Sequence, residues 1–477
     1  MKRTLWILLV VTVLLSFVLA ACGGAATTEA PPEETEPPVV ETQVPPPPDE
    51  PMEPTEEPME PTEEPMEPTE EPVVEAEPIK IGASLPITGA FAINGEKHRD
   101  GYQLCVDLIN EKGGLLGRPV ELIVSDNQSD VDTSLAQVER FINVDNVDLI
   151  FGTFSSRLTF PMSSALEQAG MVHPIPSGAA LRIYLRGYET PFYFQQKAAE
   201  YVGQSPINMI KELVPEDEQP TTAALVYADD FFAGSIANGL LGGDVEIEGE
   251  GDVVSLAPGL IADAGMELVY EEMWPEEGFS DWVTLANSIK ESGAEFVFGL
   301  TASPDEAIQL ARAMQTVEYQ PKGVYLSQGS QQEFADALGE AANGITIHAA
   351  WHPAVQWEGL LAGEPYTNQD FQDDFREKFG REGDEDEAIP FALCQGIEQA
   401  VRATESTDNA EIIAWLKART ADDPVKTIIG DRYWDERGLP IDADFVMVQW
   451  QDGELAFVYP VGEFPGTSDL VWPKPEW

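Results

Sequence analysis

The sequence predicts an α/β protein built from two Rossmann-like lobes, on three observations. From residue 79 onward, short β-prone runs alternate with amphipathic helical stretches, the pattern of parallel sheets covered by helices. This body is 399 residues long, too long for one open sheet and long enough for two cores. The alternation also comes in two series, the second resuming after Lys197.

The first series opens with a β run at 79–85 that stops at Pro86. A helix follows over 96–112 and is ended by Gly113 and Gly114. Then come a strand at 120–124, a helix at 133–144, a strand at 148–151, a helix at 159–168 and a strand at 171–175. The second series places strands at 222–227, 267–273, 295–300, 323–326 and 345–350. Helices lie near 201–213, 233–241, 280–291, 304–316 and 331–338. Three helical stretches close the pattern, at 369–379, 387–403 and 410–418, followed by strands at 445–450 and 455–459. The Gly- and acid-rich stretch 240–265 has no period and reads as a surface insertion. Residues 472–477 read as an exposed, extended tail.

The N-terminus carries an address. Met1-Lys2-Arg3, an apolar run from Leu5 to Ala21 and small residues before Cys22 make a secretory signal over 1–21. A cysteine at the cut site resembles the bacterial lipobox, which implies lipidation of Cys22 and an anchor of acyl chains. The alternative is an uncleaved N-terminal anchor; both put the body outside the cytoplasm. Residues 23–78 hold 18 acids, no Lys or Arg, and three unchanged copies of Pro-Met-Glu-Pro-Thr-Glu-Glu. Proline at two of every seven positions excludes a coiled coil, since each costs a helix about 3 kcal/mol. The segment reads as a disordered, self-repelling tether of polyproline character.

Setting aside Lys2, Arg3 and the tether acids leaves 24 basic and 67 acidic residues in the body, a net charge of −43. That argues against nucleic acid or anionic lipid as a partner. Cys105 and Cys394 both lie in apolar helical patterns and read as buried free thiols, with a disulfide between them as the alternative. No later run is long enough to span a membrane. The sequence has no Walker loop, no Gly-x-Gly-x-x-Gly, no Gly-x-Ser-x-Gly and no His-Glu-x-x-His, and its four histidines are scattered. Asp126, Asp130 and Asp132 lack the glycine and closing glutamate of a calcium loop and read as solvated, as does the acidic run 384–387. No cofactor, metal or enzymatic activity is expected.

In open α/β sheets ligands sit at the carboxyl ends of strands. Here those ends carry small polar clusters: 85–91, Gly152-Thr153-Phe154-Ser155-Ser156, and Pro176-Ser177-Gly178-Ala179-Ala180. Ser155 and Ser156 stand where a helix begins, so free N–H groups and hydroxyls are available to a carboxylate. Ser177, Gly178 and Ala179 offer backbone groups at the neighbouring strand end. Helix capping is the competing role for Ser155 and Ser177.

Several stretches carry a resemblance. The opening 79–95, Asn110-Glu111-Lys112-Gly113-Gly114-Leu115-Leu116-Gly117, Asp126-Asn127-Gln128-Ser129-Asp130 and Tyr433-Trp434-Asp435-Glu436-Arg437-Gly438 resemble type I periplasmic binding proteins of the branched-chain amino-acid family. The resemblance covers almost the whole body. It implies two lobes joined by three crossover strands, near Gln196, Trp351 and Arg432. Lobe one would be 79–196 plus 352–432, and lobe two 197–351 plus 433–477. It further implies capture of a small polar solute (amino acid, amide or small organic acid) and delivery to an ABC permease, or service as the ligand-sensing subunit of a membrane receptor.

By the same resemblance, Ser156 matches a carboxylate-binding serine and Ser177 a backbone carbonyl that takes an ammonium. Phe232 matches an aromatic that closes over the ligand. Asn94, inside the first matching stretch, joins the candidate contacts. Three positions depart from the family pattern. Ala179 stands where a threonine is usual, Ala302 near a usual aromatic, and Gln328 where an acid pairs the α-ammonium. A buried ammonium without a counter-charge costs several kcal/mol. Either Asp229 or Asp230 supplies that charge, or the ligand has no ammonium. The family disulfide is also absent, with Ser129 and Ser155 at its positions.

Overall fold

The computed structural model describes residues 76–249, 251–276 and 278–477. The signal sequence, Cys22 and the tether repeats lie outside the described residues. The body begins with β1 (Ile79–Leu85), α1 (Ala92–Glu111), β2 (Val120–Asp126), α2 (Val131–Arg140), β3 (Leu149–Phe151), α3 (Ser156–Ala169), β4 (His173–Ile175) and β5 (Pro191–Tyr193). It continues with α4 (Gln204–Leu213), β6 (Thr222–Ala228), α5 (Phe231–Leu241), β7 (Asp244–Glu246), β8 (Val253–Ser255), α6 (Leu260–Asp263), β9 (Glu267–Trp274), α7 (Trp282–Ser292), β10 (Phe296–Leu300), α8 (Pro304–Thr316), β11 (Gly323–Leu326), α9 (Gln332–Leu338) and β12 (Ile345–Ala349). It ends with β13 (Glu358–Leu361), β14 (Glu364–Thr367), α10 (Asn368–Phe379), α11 (Glu385–Thr404), α12 (Asn409–Lys417), β15 (Val425–Thr427), β16 (Gly430–Arg432), β17 (Val446–Gln451) and β18 (Glu454–Tyr459).

Two groups of strands form, as the sequence predicts. In the first, β1 lies between β2 and β3, all parallel, with Ile81 level with both Leu122 and Leu149. β4 pairs in parallel with β5, and a single bridge between Phe154 and Ser177 continues the line from β3 to β4. In the second group seven strands run in the order β18-β17-β12-β11-β10-β6-β9. The five from β12 to β9 are parallel, while β17 and β18 join antiparallel. β10 and β11 are buried along their whole length, which is why they read as unbroken apolar runs.

The chain passes between the two groups three times: after β5, after β12 and after β16. These passages lie side by side. The Gln196 side chain donates to the Ala350 carbonyl at 2.8 Å, and the Arg432 guanidinium donates to the Phe194 carbonyl at 2.8 Å. The protein is therefore two α/β lobes joined by three crossovers.

Four expectations are corrected. Cys105 and Cys394 are not free thiols; they form a disulfide between α1 and α11, their Cα atoms 6.3 Å apart. The helices approach that closely because position 101 is glycine, where a Cβ would lie 2.2 Å from the Glu387 carbonyl. The stretch 240–265 lies largely at the surface, as expected, but it is regular rather than without structure. It finishes α5, forms the β7–β8 hairpin and α6, and buries Val245 and Ile261. The tail is not exposed. Lys474 is buried, its N–H donates to the Lys322 carbonyl at 2.7 Å, and Trp472 stacks on Phe296. Lastly, the run 384–387 is not solvated surface: Glu387 and Asp386 are buried at the start of α11. Two hairpins, β13–β14 and β15–β16, are additional to the sequence reading, their strands being only three or four residues long.

Candidate functional site

A cavity of about 50 Å³ lies between the lobes. Its walls bring together seven of the residues singled out from sequence: Ser155, Ser156, Ser177, Ala179, Phe232, Ala302 and Gln328. They meet because of topology. Ser155 and Ser156 follow β3, and Ser177 and Ala179 follow β4. Phe232, Ala302 and Gln328 follow β6, β10 and β11 of the other sheet. All stand at carboxyl ends of parallel strands.

The lobe-one wall is specific in its hydrogen bonding. Ser155 occupies the N-cap position of α3, yet its side chain makes no capping bond. Ser156 Oγ accepts the Ala180 N–H at 3.2 Å, which ties the two strand-end clusters together. Ser177 Oγ lies 3.0 Å from His98 Nε2 and accepts from the Gln195 amide at 3.0 Å. His98 Nδ1 is 2.9 Å from the Asn94 carbonyl, an acceptor only, so the proton sits on Nδ1. Nε2 therefore accepts the Ser177 hydroxyl hydrogen bond, so that hydroxyl is engaged by His98 and Gln195. Burial pushes the His98 pKa down to about 4 and keeps the ring neutral.

The lobe-two wall is more apolar. Phe232 and Ala302 pack with Phe91, Phe154 and Leu158 in one cluster that spans the two lobes. Asp230 holds this wall in place. One carboxylate oxygen caps α5 by accepting the N–H groups of Phe232 and Ala233 at 2.8 and 2.7 Å. The other accepts the Ala302 N–H at 3.0 Å. Burial pushes Asp230 up to about 7.

Three candidates from sequence are not on the cavity wall. The Gly178 carbonyl is taken by the Tyr184 hydroxyl at 2.7 Å, and its Cα packs on Thr159, where a Cβ would approach to 2.6 Å. Asn94 lies behind the wall and donates to Asp386 at 3.0 Å. Asp229 is exposed in a separate depression with Arg182 and Glu246. Neither Asp229 nor Asp230 thus supplies a charge to the cavity.

The acidic groups of the cavity wall come from the run 384–387, read from sequence as solvated. Glu385 and Asp386, in the first turn of α11, line the same cavity. Glu385 accepts the Ala350 N–H at 2.7 Å and the Ser330 hydroxyl. Asp386 accepts from Asn94 and, at 2.7 Å, from Gln331, whose amide also reaches Gln328 at 3.3 Å. Burial, with Asp386 and Asp384 close by, pushes Glu385 up to about 8; burial beside Asp384 pushes Asp386 to about 6. Lys97 pairs with Asp384 and, at 3.1 Å, with Glu333 on α9. Burial acts to lower the Lys97 pKa, but the surrounding carboxylates outweigh it and hold the ammonium charged. The one clue in sequence was position. Asp384 and Glu387 form a capping box on a helix that is otherwise apolar over two turns, so its first turn goes inward with it.

Among the described residues three ion pairs join the lobes: Lys97–Glu333, Arg157–Glu276 at 2.7 Å and Arg186–Glu248 at 2.7 Å. The three acids keep partial exposure, so each pair contributes only about 0–1 kcal/mol to holding the lobes together. Among the described residues there is no cluster of three or more His, Cys, Asp or Glu side chains arranged for a metal ion, and no helix long and apolar enough to cross a membrane.

Comparison with known proteins agrees with this architecture. A family model described as periplasmic binding protein matches residues 78–243 and 244–454. The Leu/Ile/Val-binding protein homolog 7 of Brucella suis is 25% identical over 391 residues, covering 80% of this chain and 91% of that protein. Among solved structures, the branched-chain amino acid transporter substrate binding protein LivJ of Streptococcus pneumoniae, in complex with isoleucine, superposes with a TM-score of 0.65. It shares 17% identity, over 80% of this chain and 98% of that one. A solute binding protein of an ABC transporter from R. palustris, in complex with benzoate, gives a TM-score of 0.63 at 17% identity, over 84% and 97%. At such identities the superpositions speak for the fold.

Proposed function

Since the chain belongs to the periplasmic binding protein family, we propose that its body captures a small carboxylate-bearing solute between the lobes and hands it to an ABC importer. Membership in that family makes the protein a binding protein and not an enzyme, and places it outside the cytoplasm. The observation that carries the ligand reading is the wall formed by Ser155, Ser156 and Ala179. There the first turn of α3 has no side-chain cap and opens on the cavity. A helix N-terminus with spare N–H groups and two hydroxyls suits an anion. The relatives fit: the Brucella protein is named for Leu, Ile and Val, and the two superposed structures hold isoleucine and benzoate, all carboxylates.

In this reading 79–196 with 352–432 forms lobe one, and 197–351 with 433–477 forms lobe two, hinged at the crossovers. A cavity of about 50 Å³ is below the roughly 300–1,000 Å³ of a drug-sized site, so entry requires the lobes to part and favours a small ligand. Lipidation of Cys22 anchors the protein, and the tether lets the body reach its permease. The test is a thermal-shift screen of the full chain with amino acids, their amides, aromatic acids and short fatty acids. A ligand at 100 times its Kd stabilises by about 2.7 kcal/mol. A response confined to compounds without a carboxylate would overturn the reading.

A further inference from the structure

A second opening lies at the crossovers, apart from the cavity between the lobes. It is a groove of about 560 Å³, inside the roughly 300–1,000 Å³ range of small-molecule sites. The first crossover separates the two openings: Gln195 lines the cavity, and its neighbour Gln196 lines the groove. Segments 356–358 and 429–432 form one side of the groove, and 442–446 and 460–464 the other.

Three properties of this groove point to a guest. The first is charge. Five exposed acids line it. Asp442 accepts the Tyr433 hydroxyl at 2.6 Å and Asp444 pairs with Lys197. Glu358, Asp431 and Glu463 have no ion pair among the described residues. The basic residue of the wall, Arg432, is buried, and its guanidinium donates to the carbonyls of Phe194, Ile429 and Asp431. The second property is aromatic surface. Trp357 meets Phe464 edge to face with ring centroids 5.4 Å apart. A Cβ at Gly430 would rest 3.5 Å from the indole ring, so the glycine leaves that part of the ring uncovered. The third is a spare acceptor. Gln196 is buried and its Nε2 donates to the Ala350 carbonyl, while its Oε1 has no hydrogen-bond partner. Buried acceptors are nearly always matched by a donor. Unpaired carboxylates, an open indole and a spare acceptor all suit a cation that carries N–H donors and an apolar body. An anion would meet the five carboxylates instead.

We propose that this groove is a second binding site, for an organic ammonium ion that lays its carbon chain or ring on Trp357 and sets its nitrogen among Glu358, Asp431 and Glu463. The proposal rests on the groove alone and goes beyond the carboxylate reading, which concerns the cavity.

The experiment is calorimetric titration of the full chain, at about 0.15 M salt to screen diffuse attraction to an acidic body. The probes are 2-phenylethylammonium, putrescine and spermidine as chlorides, with 2-phenylethanol as the neutral comparator. Each is titrated into wild type, Trp357→Ala, the double variant Asp431→Asn/Glu463→Gln, and a charge-matched control in the exposed turn after α4, Glu216→Gln/Asp217→Asn. Trp357→Ala also removes packing on Phe464; the double variant changes only exposed acids and keeps the test independent of that loss. At least one ammonium ion should bind at a single site, and 2-phenylethanol should not. Its affinity should fall about tenfold or more in Trp357→Ala and in the groove double variant, and by less than about twofold in the control. Hydrogen–deuterium exchange with that probe should show protection at 356–358, 430–433, 442–446 and 460–464. No binding by any ammonium probe, an equal loss in the control, or protection at 153–159 and 384–389 instead would overturn the proposal. None of these outcomes bears on the carboxylate reading, since no probe carries a carboxylate.

Discussion

Ser156 is the residue on which recognition of the carboxylate turns. It is buried, lines the cavity and accepts the Ala180 N–H, so it links the ends of β3 and β4. Ser156→Ala should weaken binding of the best carboxylate ligand by about 1.5–3 kcal/mol, measured by titration, with little change in m-value on urea unfolding. Unchanged affinity would remove Ser156 from the site. This part of the cleft was legible in sequence because strand-end clusters of Ser, Gly and Ala follow apolar runs directly, and neighbouring strands place them together. Asp384 to Glu387 was not legible. Four acids in a row read as solvated by composition, and what allows their burial is remote: Lys97 lies near residue 100, and Asn94 and Gln331 come from both lobes.

Among the elements, α1 and α11 position the acidic corner. They cross at Gly101 and are pinned by the Cys105–Cys394 disulfide, 289 residues apart in sequence. A methyl group at position 101 would sit 2.2 Å from a backbone carbonyl that cannot yield without moving α11. Gly101→Ala should therefore destabilise the fold by about 1–3 kcal/mol in chemical denaturation, and weaken ligand binding through displacement of Glu385. Wild-type stability in that variant would mean the helices shift freely. The helices themselves were predicted to within a few residues, but the disulfide was not, because two cysteines far apart in sequence carry no sign of which helices pack together. Short hairpins such as β15–β16 escaped for a similar reason: three-residue strands have too few positions to show a period.

For the whole molecule, buried titratable groups set a pH dependence with a definite sign. Burial raises Glu385 to about 8, Glu200 and Asp230 to about 7, and Asp386 to about 6. Between about pH 4.5 and those values the folded state holds more protons than the unfolded chain, so these groups favour folding on the acid side and that stability is lost as pH rises toward 8. His98, lowered to about 4, and His173 and His348, lowered to about 3, act in the opposite sense. They stay neutral when folded, while the unfolded chain takes up protons below about pH 6.5, so they favour folding above that pH. The melting temperature of the apo protein should fall between about pH 6 and pH 8. A monotonic rise from pH 6 to 8 would show that the carboxylates are not buried as described. The two-lobe plan at this scale was legible from strand–helix alternation and length. The inward folding of the tail was not, because Trp472 and Lys474 find their partners on β10 and the loop before β11, about 150 residues earlier.

Hydrogen–deuterium exchange with and without the ligand giving the largest thermal shift shows whether a solute is held between the two lobes. Protection should be concentrated at 153–159, 177–180, 327–331 and 384–389, on both lobes, with smaller changes at the crossovers. Protection confined to the groove at Gln196, Trp357 and Arg432, or to one lobe alone, would contradict it.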